Sequence, residues 1–344
     1  MSVSFRNMSS TATDGAPPKP SPAVAEMTTQ DKRAAMHAMI QAAVAKLPAL
    51  PDTLEEFEIQ VPAHDGWQSP TKIVRPRTHV DADRSLIVHF YGGGMIVGEP
   101  DQLLSVARTF AGTYGAVVAL PSYRLVPDVR FPIQAKDAWE VLVWLSRNAE
   151  AELGAKLDNG FIVGGVSAGA ALASVCGGLA MFPDAADAQE APMLAKPLTG
   201  QFLSVPSVAM DETVPIEYKQ FFTSRDENRH VDGFNTSALD DVFRSLGCDD
   251  YRSLWFSPFA TLVQREPVNK IPTYLDCCGL DPLRDDAIVY EKVLKSRGVP
   301  TKLYLFSEDK HSSWTTLDAP TKARAPTIKE AQMEGMKWLL TRPL

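Results

Sequence analysis

Two hydrophobic rhythms alternate along this chain. In residues 28–47, Ala34, Met36, Met39, Ile40, Ala43, Val44 and Leu47 recur at helical spacing and form one apolar face, which Pro48 and Pro51 end. From Glu55 the period shortens to two. Phe57, Ile59 and Val61 alternate with polar residues, and Ile73 and Val74 follow a turn near Asp65-Gly66, predicting an antiparallel hairpin. Residues 86–91 and 116–120 are unbroken apolar runs, the pattern of strands covered on both faces, with a helical stretch at about 102–111 between them.

The same alternation continues. A helix over 133–145 follows Pro132, a short strand spans 161–163, and 167–181 reads as helix. Strands follow at 201–205, 273–277 and 302–306, the last two separated by a helix over 283–297. In that helix Leu283, Ala287, Tyr290 and Leu294 share a face. Asp285 and Asp286 at its start and Lys295 and Arg297 at its end suit the helix dipole, and Gly298 and Pro300 stop it. Strands alternating with helices predict an α/β fold: a mostly parallel sheet with helices on both faces.

One section breaks the rhythm. Residues 211–260 mix Tyr218, Phe221, Phe222, Phe234, Phe243 and Trp255 with many charges, which predicts short irregular helices. An insertion of this length between core strands reads as a cap over a site. The expected organisation is a mobile Ser-, Thr-, Ala- and Pro-rich tail over 1–27, a cap helix over 28–50, and an α/β domain over 51–344 carrying the cap insertion.

Composition narrows the function. Hydrophobic residues at 45% and charged residues at 22% suit a globular protein with a sizeable core. A net charge of −8 with no basic run argues against nucleic acid as a partner. No apolar stretch reaches the roughly 18 residues of a membrane span. The first residues lack the positive start and apolar block of a secretory signal, and Arg6 and Lys19 beside Asp14 are too few basic residues for a transit peptide. Cys176, Cys248, Cys277 and Cys278 contain no CxxC pair, and the six histidines are scattered, so neither a disulfide framework nor a zinc site is expected. A cytoplasmic location fits this cysteine usage.

The chemistry begins at Gly165-Val-Ser167-Ala-Gly169, which follows a strand and opens a helix. In so tight a turn the positions two before and two after the serine must be nearly without side chains. The strain pushes the serine hydroxyl into a crevice at the carboxyl edge of the sheet, and the N–H of Ala168 at the helix start faces any negative oxygen formed there. Upstream, Tyr91-Gly-Gly-Gly94 ends another strand, where glycines let backbone N–H groups turn toward a ligand.

These strings resemble the hormone-sensitive-lipase-like carboxylesterases, the fold-3 group of α/β hydrolases. That family shows a His-Gly-Gly-Gly loop, where this chain has HFYGGGMIVG with Tyr91 in place of the His. It also shows Tyr-Arg-Leu-Ala-Pro-Glu…Phe-Pro, here YRLVPDVRFP from Tyr123 to Pro132, with Asp137 beyond it. The likeness runs from about Ser85 to Trp314. Val166 and Ala170 depart from the family's Gly-Asp-Ser-Ala-Gly-Gly, and the variant strings resemble its fungal branch. The resemblance implies an eight-stranded α/β-hydrolase sheet with a helical cap, oxyanion donors at the N–H groups of Gly92, Gly93 and Ala168, and no metal or organic cofactor. Dimers are common among similar proteins, so a homodimer is one assembly it allows.

A serine hydroxyl needs a histidine to take its proton, and the histidine needs a carboxylate to fix its tautomer. His37 and His64 precede the core sheet, His79 lies in a charged loop, His89 is mid-strand and His230 is in the cap insertion. His311, after the last strand, stands where this fold places its base, in a string resembling the family's His-Gly-Phe region. Asp281 follows the preceding strand and matches the family's Asp-Pro-Leu-Arg-Asp. Ser167, Asp281 and His311 are thus the expected triad, and cleavage of a small or medium-sized carboxylic ester the expected reaction. Elimination, cyclisation, lactone opening or transacylation of a specialised metabolite would use the same groups. A non-catalytic receptor of the kind the plant gibberellin receptors represent lacks the histidine that this chain retains.

Overall fold

A computed structural model describes residues 27–77, 84–189, 191–311 and 327–341. The expected tail (but for Met27) and His79 lie outside these residues. Eight strands form one sheet: β1 (Leu54–Pro62), β2 (Gln68–Pro76), β3 (Leu86–Phe90), β4 (Val117–Pro121), β5 (Phe161–Val166), β6 (Gly200–Ser204), β7 (Thr273–Leu280) and β8 (Thr301–Lys310). Their order is β1-β2-β4-β3-β5-β6-β7-β8. The β1–β2 and β2–β4 pairs are antiparallel and the others parallel, which is the α/β-hydrolase fold. The predicted hairpin pairs Phe57 with Ile73. Every residue of β3, β4, β5 and β6 is buried, as their unbroken apolar runs require.

The longer helices are α1 (Thr29–Val44), α2 (Leu104–Tyr114), α3 (Ile133–Leu153), α4 (Ala168–Met181), α5 (Thr236–Leu246), α6 (Phe259–Gln264), α7 (Arg284–Ser296) and α8 (Ile328–Leu340). The Tyr114 hydroxyl of α2 donates to the Met333 carbonyl of α8 at 2.6 Å, so these two helices meet on one face of the sheet.

Three elements differ from their sequence reading. Helix α3 runs on to Leu153 because Ala149 and Leu153 continue its buried face, and Gly154 in a left-handed conformation ends it. Helix α8 was not anticipated. Its signal is the Thr327–Glu330 capping box ahead of the buried Ala331, Met336 and Leu339. Helix α1 does form, but of its apolar face only Ile40 is buried, while Met39 is 54% exposed. Val44 packs partly buried against the core, and polar contacts to the loops around the site add to this hold.

Helix α8 is tied to the sheet through a buried carboxylate. Asp276 of β7 accepts from the Ser204 hydroxyl at 2.7 Å, Gln332 Nε2 at 3.1 Å and the Tyr274 hydroxyl at 3.2 Å. Burial nevertheless outweighs these donors and pushes its pKa up to about 6. Between about pH 4 and pH 6 the folded chain therefore holds a proton that the unfolded chain has released, so stability falls as pH rises through that window. The loss attributable to Asp276 approaches roughly 3 kcal/mol above pH 6. In urea unfolding across pH 4–8, Asp276→Asn is expected to lack this part of the decline; parallel wild-type and variant curves would refute the assignment.

Candidate active site

Ser167 sits between β5 and α4 with φ 55° and ψ −121°, a left-handed strain that few non-glycine residues adopt. The turn closes because its neighbours lack side chains. A Cβ on Gly169 would lie 2.1 Å from the Phe90 carbonyl oxygen and 2.4 Å from that of Tyr91, and one on Gly165 would lie 2.2 Å from the Gly169 backbone. The start of α4 therefore rests directly on the end of β3.

The opposite side of the site comes from β7 and β8. Their pairing shifts register between Cys278 and Leu280, so that Leu280 faces Lys310, and the two strand ends deliver Asp281 and His311 together. The Ser167 hydroxyl lies 2.9 Å from His311 Nε2, and His311 Nδ1 lies 2.7 Å from Asp281 Oδ2. Asp281 Oδ1 accepts the Leu283 N–H at 2.8 Å, which fixes the carboxylate. All three side chains are buried. With Nδ1–H donated to the carboxylate, Nε2 is left as the acceptor facing the serine. Of the other described histidines, His89 is buried against Phe110 and Phe202, and burial pushes its pKa down to about 4, while His37 and His64 pair with Glu99 and Glu140.

Gly92 and Gly93 follow β3, and Gly93 has a φ of +128° that only glycine adopts readily. Among the described residues, the N–H groups of Gly92, Gly93 and Ala168 donate to no backbone or side-chain acceptor. The loop after them is braced from outside. Arg33 of α1 donates to the carbonyls of Ile96 and Val126, both at 2.9 Å, and pairs with Asp128 at 2.7 Å. Val126 N–H in turn donates to the Met95 carbonyl at 2.9 Å. Arg124 binds Asp137 through its backbone N–H at 2.9 Å and its guanidinium at 2.6 Å, which holds the Tyr123–Pro132 segment in place.

The segment between β6 and β7 lies over the serine. Val242 and Leu246 of α5, with Phe234 and Phe256, face Ala171 and Val175 of α4 across a cavity of about 50 Å³ that reaches Ser167. Among the described residues that line it, Ser207 carries the one other hydroxyl and none bears a charged side chain. A larger groove of about 990 Å³ opens at the other edge of the sheet, near Gly160, Thr199 and Pro272, and holds none of the expected site residues.

Several residues at the site were not legible in the sequence. The Phe234 ring lies against the His311 imidazole, centroids 4.3 Å apart and planes tilted by 30°. Asn228 Nδ2 donates to the carbonyls of Gly279 at 3.3 Å and Asp281 at 3.1 Å, steadying the loop that carries Asp281. Asp285 and Asp286 occupy the first turn of α7, as expected, but a dipole role does not describe them fully. Asp285 Oδ2 accepts the N–H groups of Thr223 and Ser224 at 2.7 and 2.6 Å. Asp286 Oδ1 accepts those of Val208 and Ala209 at 3.0 and 2.9 Å and its other oxygen pairs with Arg225 at 2.7 Å. Both carboxylates fasten the inserted segment to the strand end that carries Asp281.

The turn at Ser167 gives a direct test. Gly169→Ala should drive a methyl into two carbonyl oxygens, lowering the melting temperature by several degrees and removing most esterase activity. A variant with wild-type melting and turnover would contradict the close packing described.

Comparison with known proteins bears on the family and the fold. A family model described as an alpha/beta hydrolase fold matches residues 87–315. An AB hydrolase superfamily protein of Schizosaccharomyces pombe is 30% identical over 295 residues, covering 85% of this chain and 82% of its own. The versiconal hemiacetal acetate esterase of Dothistroma septosporum is 31% identical over 256 residues, covering 73% and 72%. Among solved structures, a vibralactone cyclase superposes with a TM-score of 0.77 at 23% identity over 94% of this chain and 92% of its own. An esterase of Pyrobaculum calidifontis superposes with a TM-score of 0.71 at 23% identity over 92% and 94%. These two structures speak to the fold alone. No described helix is long and apolar enough to cross a membrane. With the family model spanning most of the sheet and the catalytic-type strings in order, the chain belongs to the hormone-sensitive-lipase-like α/β hydrolases and is a carboxylesterase-type hydrolase.

Proposed function

We propose that the chain hydrolyses an uncharged carboxylic ester with a small acyl group through an acyl-enzyme on Ser167. The observation that carries this reading is the buried line from the Ser167 hydroxyl to His311 Nε2 at 2.9 Å and from His311 Nδ1 to Asp281 at 2.7 Å. The Ser167 oxygen attacks the ester carbonyl while His311 takes its proton, and Asp281 stabilises the imidazolium. The N–H groups of Gly92, Gly93 and Ala168 hold the oxyanion. His311 then passes the proton to the departing alcohol, and water repeats the steps on the acyl-enzyme.

The cavity argues for the substrate class. A space of about 50 Å³ whose described lining is uncharged suits a short hydrocarbon group better than a carboxylate or ammonium. The similarity to an acetate esterase points the same way. Helix α1 and the 211–260 insertion act as the cap that sets acyl and alcohol preference. A cytoplasmic setting agrees with four free cysteines, three of them buried.

Ser167→Ala should lower turnover of p-nitrophenyl acetate and butyrate by more than about 10³-fold while leaving the fold intact. Acetate and butyrate should be cleaved at least about tenfold faster than decanoate by the wild type. Equal activity in wild type and variant would overturn the role of Ser167, and a preference for the long chain would overturn the acyl assignment. Elimination, cyclisation, lactone opening or transacylation would begin at the same hydroxyl, and product analysis on ester and lactone substrates separates these reactions from hydrolysis. A receptor role would leave Ser167 unlabelled by a fluorophosphonate probe.

A further inference from the structure

Tyr91 stands where the family resemblance leads one to expect histidine, and its surroundings show what the replacement does. Its ring stacks on that of Tyr123, with centroids 4.4 Å apart and planes 15° from parallel. Each hydroxyl reaches across to the other residue's main chain. The Tyr123 hydroxyl donates to the Tyr91 carbonyl at 2.9 Å, and the Tyr91 hydroxyl donates to the Tyr123 carbonyl at 3.3 Å. Both side chains are 2% exposed, and burial pushes both phenols up, so both remain protonated donors.

The carbonyl of Tyr91 and the N–H of Gly92 belong to one peptide plane. In a trans peptide they point in opposite directions, so a bond that holds the oxygen also aims the N–H. The same oxygen also lies against the start of α4, where a Cβ on Gly169 would lie 2.4 Å from it. The plane is therefore held both by a hydroxyl and by close packing at its oxygen. The Gly92 N–H has no acceptor among the described residues, so nothing within the loop competes for its direction.

We propose that Tyr91 and Tyr123 are positioning residues: a reciprocal clasp in which the Tyr123 hydroxyl orients the Tyr91–Gly92 peptide so that its N–H meets the oxyanion. This rests on the ester-cleaving reading of the site. The clasp acts on the charged tetrahedral state and leaves ground-state binding in the apolar cavity largely alone. Its loss therefore lowers kcat, and the binding of a tetrahedral adduct, by the same factor. Of the two hydroxyls, that of Tyr123 matters more, because it makes the shorter bond and makes it to the peptide that carries the donor.

The test uses the full-length wild type with Tyr123→Phe and Tyr91→Phe. It measures kcat and KM for p-nitrophenyl butyrate, inhibition by phenylboronic acid, which forms a tetrahedral adduct on a serine oxygen, and the melting temperature. Tyr123→Phe is expected to lose about 10- to 100-fold in kcat and a similar factor in boronate affinity, with KM within about twofold. Tyr91→Phe is expected to lose about three- to tenfold in both, again in proportion. Either variant that folds tests the clasp. A folded variant with both quantities within about twofold of wild type overturns it, as does a fall in kcat without a matching fall in boronate affinity. Failure of the underlying reading would look different: the wild type would hydrolyse the ester with Ser167 replaced, or would not be inhibited by the boronate at all.

Discussion

The structure depends on one close approach, the seating of Gly169 against the carbonyl oxygens of Phe90 and Tyr91. Because no side chain fits there, the start of α4 and the end of β3 share a wall. That single contact places the Ser167 hydroxyl, the Ala168 N–H and the Gly92–Gly93 loop in one corner at the carboxyl edge of the sheet. The left-handed backbone of Ser167 is the local cost of the arrangement. The neighbouring strands compensate for it, being buried along their whole length.

The second requirement is that β7 and β8 end together. The register shift near Gly279 brings Asp281 and His311 within 2.7 Å, and the inserted segment then locks that end in place. Asn228, Arg225, Asp285 and Asp286 link the insertion to the loop of Asp281, while the Phe234 ring lies tilted against the His311 imidazole. The inserted segment and the Asp281–His311 pair are consequently one mechanical unit. A change in how the insertion packs is felt at the imidazole, because Phe234 also lines the cavity.

Much of this was legible in the sequence, for identifiable reasons. Buried strands announce themselves as unbroken apolar runs, and the Gly-x-Ser-x-Gly turn can close in few other ways, so the sheet, the longer helices other than α8, and the turn at Ser167 could be read from residue type and order, while Asp281 and His311 followed from chain order together with the family resemblance. The contacts within the insertion could not. Its helices are short, and its partners are charged or aromatic side chains whose roles depend on which strand end lies beneath them. Helix α1 forms where its apolar spacing places it, but the contacts that Arg33, His37 and Gln41 make to the loops beside the site leave no such pattern. The meaning of Tyr91 was also out of reach, since a stacked pair separated by 32 positions leaves no local pattern.

The most direct measurement of the central claim is a stopped-flow trace with p-nitrophenyl butyrate followed by acid quench and peptide mapping. An initial release of nitrophenol that scales with enzyme, and a butyryl group found on the peptide at Ser167, is the result the account predicts. Nitrophenol release with the acyl group on another residue, or with no acylated residue under conditions that trap such esters, would contradict it.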